Sequence, residues 1–317
     1  MKQKPQRINL SQELIALAGP NAGGTPLLSE PTVWSARTFK HLDDMSVYKA
    51  AFTNANYENE ARVGGTVNIA RLDGGTVTDY TGTWPDSDWQ ELTDEQAVLQ
   101  ITEAKKFLLK VRKIRQDFNP INLMDEGSKA AARKMAPVID SFIASSFADI
   151  SATNDYGNDA APITVGLGAG ETKPSLALDM LYEKLDDAGA PDDGGLRVVV
   201  PSWFRTMLSQ EIGTRQTLMG DKAKQGEYAG KGLFATDISG FDAIYASKRV
   251  PNTAGTKFKV MAGTNAITFA MGLEEMTIIP ELQNDFASGL KALWAYGKKL
   301  PDAKYMALGT FDKGSYA

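Results

Sequence analysis

Few residues in this sequence are of the types that do chemistry, and none stands in a pattern typical of an active site. His41 is the single histidine, and the chain has no cysteine. A Ser-His-Asp relay would have to use His41, yet no serine lies in a G-x-S-x-G elbow. His41 also lies among Phe39, Leu42 and Met45, which is typical of a structural histidine. A metal site would have to rely on carboxylates. We therefore predict no catalytic residue and no metal site.

Two short motifs resemble ligand-binding loops without meeting their requirements. The acidic stretch 86–94 has Glu91 at the sixth position, where a calcium loop needs glycine. Gly166, Gly168 and Gly170 are spaced G-x-G-x-G instead of G-x-G-x-x-G, with no convincing strand before them, so we interpret them as a flexible loop. We predict no cofactor. A pair of catalytic carboxylates far apart in the sequence stays open, which keeps a soluble hydrolase as one alternative.

The composition sets broad limits on structure and function. With 317 residues, of which 43% are hydrophobic, the chain can bury a substantial core. The net charge of -5 and a pI near 5.2 argue against a dedicated nucleic-acid binder. No stretch has the length and hydrophobicity of a secretion signal or a membrane span, so we expect synthesis in the cytoplasm and no membrane partner.

Two regions near the N-terminus have little apolar surface of their own. Residues 1–30 mix basic residues with glycine and proline, which favours an extended arm, although a frayed terminus is an equal alternative. The run 63–83 alternates around Asp73-Gly74-Gly75 like a β-hairpin, and a further strand is expected at 98–102. Because a lone hairpin is marginally stable in water, we expect it to rest on something outside its own lobe.

The segment 106–114 predicts a strand with two different faces. Phe107 and Leu109 lie on one face, whereas Lys106 and Lys110 give the other face a basic character. Such a basic face could touch DNA inside a container. A solvated face, or one paired with acidic residues of a neighbour, is the more common case.

The second half of the chain alternates predicted helices and strands. A long amphipathic helix is predicted over 122–149, where Pro137 either bends the helix or marks the junction of two shorter helices. Further helices are predicted at 174–189, 202–208 and 264–271, and strands at 196–200, 241–246, 257–262, 276–279, 292–300 and 305–311. We expect the last two strands to form a hairpin around Pro301-Asp302, and residues 213–232 to form a mobile loop. This order implies an α+β fold.

Several strings in the C-terminal half stand in a recognisable order. They are AGAPDDGGLRVVVPSWFRTML, GFDAIYASKRVP and GLKALWAYGKKL, preceded by the helix that ends in Ala136-Pro137-Val138-Ile139-Asp140. Over residues 97–308 this order resembles that of the major capsid proteins of tailed bacteriophages. Those proteins carry the shell fold first described in phage Hong Kong ninety-seven, and the long helix resembles the spine helix of that family.

The resemblance implies a division of the chain into the parts of a shell protein. The parts are an N-terminal arm (1–30), a peripheral domain (31–60 and 105–165, with the spine helix), an extended β-hairpin loop (61–104), an axial domain (166–275) and return strands (276–317). The arm and the extended loop would gain their order on adjacent subunits. The candidate subunit contacts in the loop are Arg62, Arg71, Tyr80, Trp84 and Trp89. Pro137 is the candidate hinge for a change in shell shape.

The function implied by the resemblance is closed self-assembly. Copies of the chain would form pentamers and hexamers that enclose double-stranded DNA, which they contact non-specifically, in a virion assembled in the host cytoplasm. A separate scaffolding protein and a portal are expected partners. Residues 63–104 contain no lysine, so the lysine–asparagine cross-link of some family members is not expected. An encapsulin-type compartment has the same fold and stays an alternative, beside the soluble hydrolase.

Overall fold

The computed structural model describes residues 46–54, 65–72, 79, 94–112, 123–190, 195–214, 233–279, 283 and 287–316. Predictions for the arm, for His41, for the acidic stretch before Asp94 and for the loop 215–232 lie outside these ranges. Within them the helices are α1 (Val47–Phe52), α2 (Leu123–Ala144), α3 (Pro174–Asp187) and α4 (Ser202–Thr214).

The strands of the described ranges form three sheets. They are β1 (Thr53–Asn54), β2 (Thr66–Leu72), β3 (Asp94–Gln100), β4 (Glu103–Arg112), β5 (Asp155–Tyr156), β6 (Ile163–Val165), β7 (Arg197–Val200), β8 (Leu233–Ile238), β9 (Phe241–Ala246), β10 (Asn252–Thr253), β11 (Lys257–Gly263), β12 (Ile267–Ile279), β13 (Ala287–Lys299) and β14 (Met306–Lys313). Short 3-10 helices lie at Ser145–Asp149, Ala152–Asn154 and Ala303–Tyr305. The mixed α+β prediction is therefore confirmed.

The first sheet has the order β1-β12-β13-β4, and other elements pack against part of each of its faces. On one face α2 packs against it, with the Phe142 ring edge-on to Tyr296 at a centroid distance of 4.9 Å. On the other face lies the two-stranded β2–β3 sheet, which runs antiparallel with Arg71 opposite Glu95. A small apolar cluster joins these layers: Val67, Ile69, Leu99, Ile101, Ala270 and Ala295. The β2–β3 sheet, which forms the base of the predicted hairpin loop 61–104, thus rests on another sheet of its own chain. Contact of the rest of the loop with a neighbouring subunit stays a prediction.

The second sheet contains β5-β14-β11-β7-β9-β8, with β10 and β6 paired at its sides. Helix α3 begins with Pro174 in its first turn, where the missing N–H costs nothing, and it buries Leu178, Leu181 and Leu185. The buried run Val198–Val200 forms the strand β7, and α4 follows it directly, as the sequence predicted. These layers share one large apolar core with α1, α2 and the first sheet.

The sequence predictions fail at two places in this arrangement. Residues 264–271 were predicted as a helix, but most of them lie in strand β12. Residues 267–271 of that strand are buried on both faces, so the apolar residues do not alternate with polar ones and their pattern does not distinguish strand from helix. The predicted hairpin around Pro301-Asp302 is also wrong. β13 pairs with β12 and β4, whereas β14 pairs with β11, β5 and β6, so the turn connects two different sheets.

The long amphipathic helix is confirmed as one continuous element. α2 passes through Pro137 without a break and continues into the 3-10 helix Ser145–Asp149. The alternative of two shorter helices that meet at Pro137 is therefore wrong. The Ser141 hydroxyl, one turn after Pro137, donates a hydrogen bond to the Pro137 carbonyl at 2.8 Å.

Candidate functional site

Most of the predicted contact residues of the extended loop lie outside the described ranges. Arg62, Tyr80, Trp84 and Trp89 are among them. Arg71 lies in β2, in register with Glu95 of β3. The role of these five residues in subunit contacts stays a prediction.

Gly297 is the point where the base of the hairpin lies closest to the first sheet. A Cβ built on Gly297 would clash with the carbonyl oxygen of Gln100 and would lie 3.1 Å from the Cα of Ile101. Both neighbours are backbone atoms, which cannot rotate away as a side chain can. A glycine is therefore needed here for β3 to rest on β13.

The uncovered part of the same sheet face is apolar at its centre and basic around it. Leu108 of the edge strand β4 is 67% exposed and lies opposite Lys291 of β13. Lys106 and Lys110 flank Leu108 on this face and are exposed. Lysines on an edge strand discourage uncontrolled strand pairing. This two-faced strand matches the sequence prediction.

Helix α1 is anchored at its N-terminus by a buried carboxylate from α2. Asp140 is fully buried and accepts hydrogen bonds from the backbone N–H groups of Val47 at 3.3 Å and Tyr48 at 3.1 Å. The Ser46 hydroxyl donates to the same carboxylate at 2.9 Å, and Arg249 forms an ion pair with it. A negative charge at a helix N-terminus interacts favourably with the exposed N–H groups there.

The other end of α1 is held by a cation from the second sheet. The Arg197 guanidinium donates to the carbonyl of Ala50 at 3.1 Å and to the side-chain oxygen of Asn265 at 2.6 Å. A positive charge at the carbonyl end of a helix is also favourable. Charges from α2 and β7 therefore fix a short helix that has only two turns of its own. We call this arrangement, formed by Asp140, Arg197 and Arg249 around α1, the α1 clamp.

Two carboxylates converge on a buried lysine in the second sheet. Lys259 forms an ion pair with Asp159 at 2.8 Å and donates to the Thr310 hydroxyl at 3.0 Å. The hydrogen bond from Lys259 lowers the pKa of Asp159, whereas burial is the main cause that raises the pKa of Asp155 nearby. The pKa of Asp155 is therefore higher than that of Asp159. With Lys259 bonded between strands β11 and β14, we interpret the group as a tie between the loop at Asp159 and the sheet.

Lys298 holds the C-terminal end of helix α2. Its ammonium donates to the carbonyl of Phe142 at 2.6 Å and to the Ser145 hydroxyl at 2.5 Å, and it lies 4.9 Å from the centre of the Phe142 ring. Burial lowers the pKa of Lys298 to about 8, and the nearby Asp149 opposes this shift. The lysine thus joins β13 to the C-terminal end of α2.

Comparison with known proteins decides the family. A family model described as phage capsid protein matches residues 91–307, which include strands β4, β12 and β13 of the first sheet, the α1 clamp residues Asp140, Arg197 and Arg249, and most of the second sheet. The chain belongs to the phage capsid protein family. None of the curated proteins matches it.

Solved structures place this phage capsid protein in the Hong Kong ninety-seven type of shell fold. One similar structure, from Mycobacterium phage Che8, has a TM-score of 0.57 and 22% identity, over 84% of this chain and 91% of that chain. The capsid of Ralstonia phage GP4 has a TM-score of 0.59 and 11% identity, over 85% of this chain and 91% of that chain. The SrpI encapsulin of Synechococcus elongatus PCC 7942 has a TM-score of 0.54 and 11% identity, over 98% of this chain and 99% of that chain.

Membership of the capsid family indicates a structural role for this protein, namely self-assembly into multimeric shells. The hydrolase alternative has no support from the family. Within the described ranges, no group of three or more His, Asp or Glu residues could hold a metal ion, and no helix is long and apolar enough to cross a membrane.

The sequence analysis missed the charged residues that join the layers of this capsid protein. Asp140 carried one signal, because it stands on the buried face of a helix between Ile139 and Ile143. A charge on such a face needs a partner, but the sequence does not say which one. Ser46 and Arg249 are both far away along the chain, and only the fold brings them together.

Proposed function

We propose that this protein forms the icosahedral shell around the double-stranded DNA genome of a tailed bacteriophage. The observation that carries the proposal is the match of the phage capsid family model over residues 91–307. Pentamers and hexamers would form from identical copies, and many weak contacts repeated around each ring would add up to a stable wall. A separate scaffolding protein and a portal would complete the assembly in the host cytoplasm.

The extended loop 61–104 and the arm 1–30 are the elements that we propose to join neighbouring subunits. The base of the loop lies on its own first sheet, so the rest of the loop is the part available to a neighbour. It includes the candidate contacts Tyr80, Trp84 and Trp89, and aromatic residues are common anchors of protein interfaces. The mainly acidic charge of the chain suits contacts to DNA that are few and non-specific.

The experiment that tests the genome-enclosing role is the isolation of particles from the host that produces them. We expect particles built of this chain to contain double-stranded DNA that resists nuclease until the shell is opened. Particles that never contain protected DNA, although portal and packaging proteins are present, would contradict the phage function.

An encapsulin-type compartment is the second candidate. The observation in its favour is the similarity to the SrpI encapsulin structure along nearly the whole length of both chains. At 11% identity this similarity establishes the fold alone. The same particle preparation distinguishes the two candidates, because a compartment would retain a protein cargo and lack a packaged genome.

A further inference from the structure

The glycine-rich loop between β6 and α3 binds a carboxylate of the protein itself, that of Glu171. The Glu171 carboxylate accepts a hydrogen bond from the Gly168 backbone N–H at 2.9 Å. It also accepts bonds from the Ser315 backbone N–H at 3.0 Å and from the Ser315 hydroxyl at 3.1 Å. One carboxylate therefore connects the loop to the residues that follow strand β14.

The glycines of this loop leave the space that the carboxylate occupies. A Cβ built on Gly168 would lie 2.9 Å from Glu171 Oε2, and a Cβ built on Gly314 would lie 2.8 Å from Glu171 Cδ. A Cβ on Gly166 would also collide with the carboxylate. The glycine pattern that failed as a phosphate-binding motif is therefore explained by the approach of Glu171.

Backbone hydrogen bonds extend the strand pairing in the same place. The Gly314 N–H donates to the Val165 carbonyl at 2.8 Å, and the Leu167 N–H donates to the Ser315 carbonyl at 3.0 Å. These bonds continue the parallel pairing of β14 with β6. Ser315 and Tyr316 are exposed, so no buried apolar side chain anchors this segment. The attachment of residues 314–316 depends on polar contacts, and among these the hydrogen bonds to Glu171 are made to a charged carboxylate.

We propose that Glu171 is an electrostatic latch, which holds residues 314–316 against the β6 loop at neutral pH and releases them in acid. The proposal concerns the single chain and does not depend on the shell function. Residues 314–316 would then be ordered on their own subunit at neutral pH and free to contact another molecule in acid.

The direction of the pH dependence follows from the hydrogen bonds. The N–H groups of Gly168 and Ser315 lower the pKa of Glu171, because they stabilise the charged carboxylate. A group whose folded pKa is lowered stabilises the latched state above its ordinary pKa, and this stabilisation is lost as the pH falls through the lowered value. The charged residues nearest along the chain to the two hydrogen-bonded segments are Lys173, Asp312 and Lys313, and the Lys313 ammonium lies 4.8 Å from the centre of the Tyr316 ring.

The test is hydrogen–deuterium exchange of the full-length protein, read on the peptides that cover residues 309–317 and 163–173 and corrected for intrinsic exchange rates. At neutral pH we expect exchange at Ser315 and Leu167 to be roughly tenfold faster in Glu171→Gln than in the wild type, as for a lost charge-assisted hydrogen bond. The wild type should reach the rate of the variant in acid. Glu183→Gln, on the exposed side of α3, is the matched control and should behave as the wild type.

A second variant keeps the test independent of the folding of the first. Ser315→Pro removes the backbone N–H donor from an exposed segment and should release residues 314–316 at every pH, which hydrogen–deuterium exchange would detect as faster exchange of the Leu167 N–H that donates to the Ser315 carbonyl. Equal exchange in the wild type and Glu171→Gln at neutral pH would overturn the proposal. Equal exchange at Leu167 in the wild type and Ser315→Pro would overturn it as well.

Discussion

Asp140 connects helix α2 to helix α1 and to Arg249. It lies on α2, caps α1 and pairs with Arg249, while it is itself fully buried. Its Oδ1 accepts hydrogen bonds from Ser46 and Tyr48, and its Oδ2 accepts hydrogen bonds from Val47 and Arg249.

We expect Asp140→Asn to lower the free energy of unfolding of unassembled subunits by about 3 kcal/mol, because Arg249 would be left partly buried without its counter-ion. Urea denaturation of the subunits measures this loss. Asp179→Asn, on the exposed side of α3, is the control and should change the unfolding free energy little. An Asp140→Asn variant as stable as this control would contradict the α1 clamp.

The lowered pKa of Lys298 predicts that the free energy of unfolding depends on pH. Burial lowers its folded pKa to about 8, below the ordinary value of 10.5, so the unfolded chain binds the proton more strongly. Stability should therefore rise with pH between these two values. Because the side chain is partly exposed, we expect a gain of only about 1 kcal/mol in the wild type relative to Lys298→Met.

Thermal unfolding of the two proteins at several alkaline pH values measures the difference between them. Lys299→Met is the matched control, since Lys299 is the exposed neighbour on the same strand. If the wild type and Lys298→Met show parallel pH profiles, the lowered pKa of Lys298 is wrong.

At the scale of elements, the hairpin base and helix α2 are the two parts that we propose to take part in assembly. The base of the hairpin lies at Gly297 against the backbone of Gln100 and Ile101. Helix α2 passes through Pro137, and Lys298 donates a hydrogen bond to the carbonyl of Phe142 near its end. Each offers a substitution that changes one element and leaves the rest of the chain in place.

Gly297→Ala should displace the base of the hairpin, because the new methyl group meets backbone atoms that cannot move independently. We expect a loss of about 2 kcal/mol in unfolding free energy and faster proteolysis within residues 65–102. Ala104→Val, on the exposed edge strand of the same sheet, is the control for a larger side chain that meets no backbone. Unchanged protease resistance of Gly297→Ala would show that the hairpin does not rest on this glycine.

Pro137→Ala tests the proposed hinge. The substitution restores a backbone N–H inside α2 and should stabilise the helix by about 1 to 3 kcal/mol, because proline is costly in a helix interior. A straighter and stiffer helix should slow the change from an immature to an expanded shell, which light scattering or electron microscopy can follow. Expansion at the wild-type rate would defeat the hinge role of Pro137.

The elements were predictable where one face was buried and the other was not. The two-faced strand around Leu108 and the helix with Leu178, Leu181 and Leu185 follow from this contrast. Strand β12 could not be predicted in this way, because α2 covers one of its faces and the hairpin base covers the other. The α1 clamp and the Glu171 carboxylate were not predictable either, since their partners are distant in the sequence.

At the scale of the whole molecule, the two main sheets share one core but differ in what they leave for a partner. The first sheet carries the hairpin base and the exposed Leu108, whereas the second sheet carries the Glu171 latch. The fold similarity to phage capsids and to an encapsulin covers most of the chain. The central claim is therefore that copies of this chain close into a shell.

Electron microscopy of the purified full-length chain, combined with its mass by light scattering, tests this claim most directly. The account predicts rings and closed particles of megadalton mass, built from five-fold and six-fold groups of one chain. A folded protein that stays monomeric or dimeric at every concentration, with no rings or shells in the images, would contradict it.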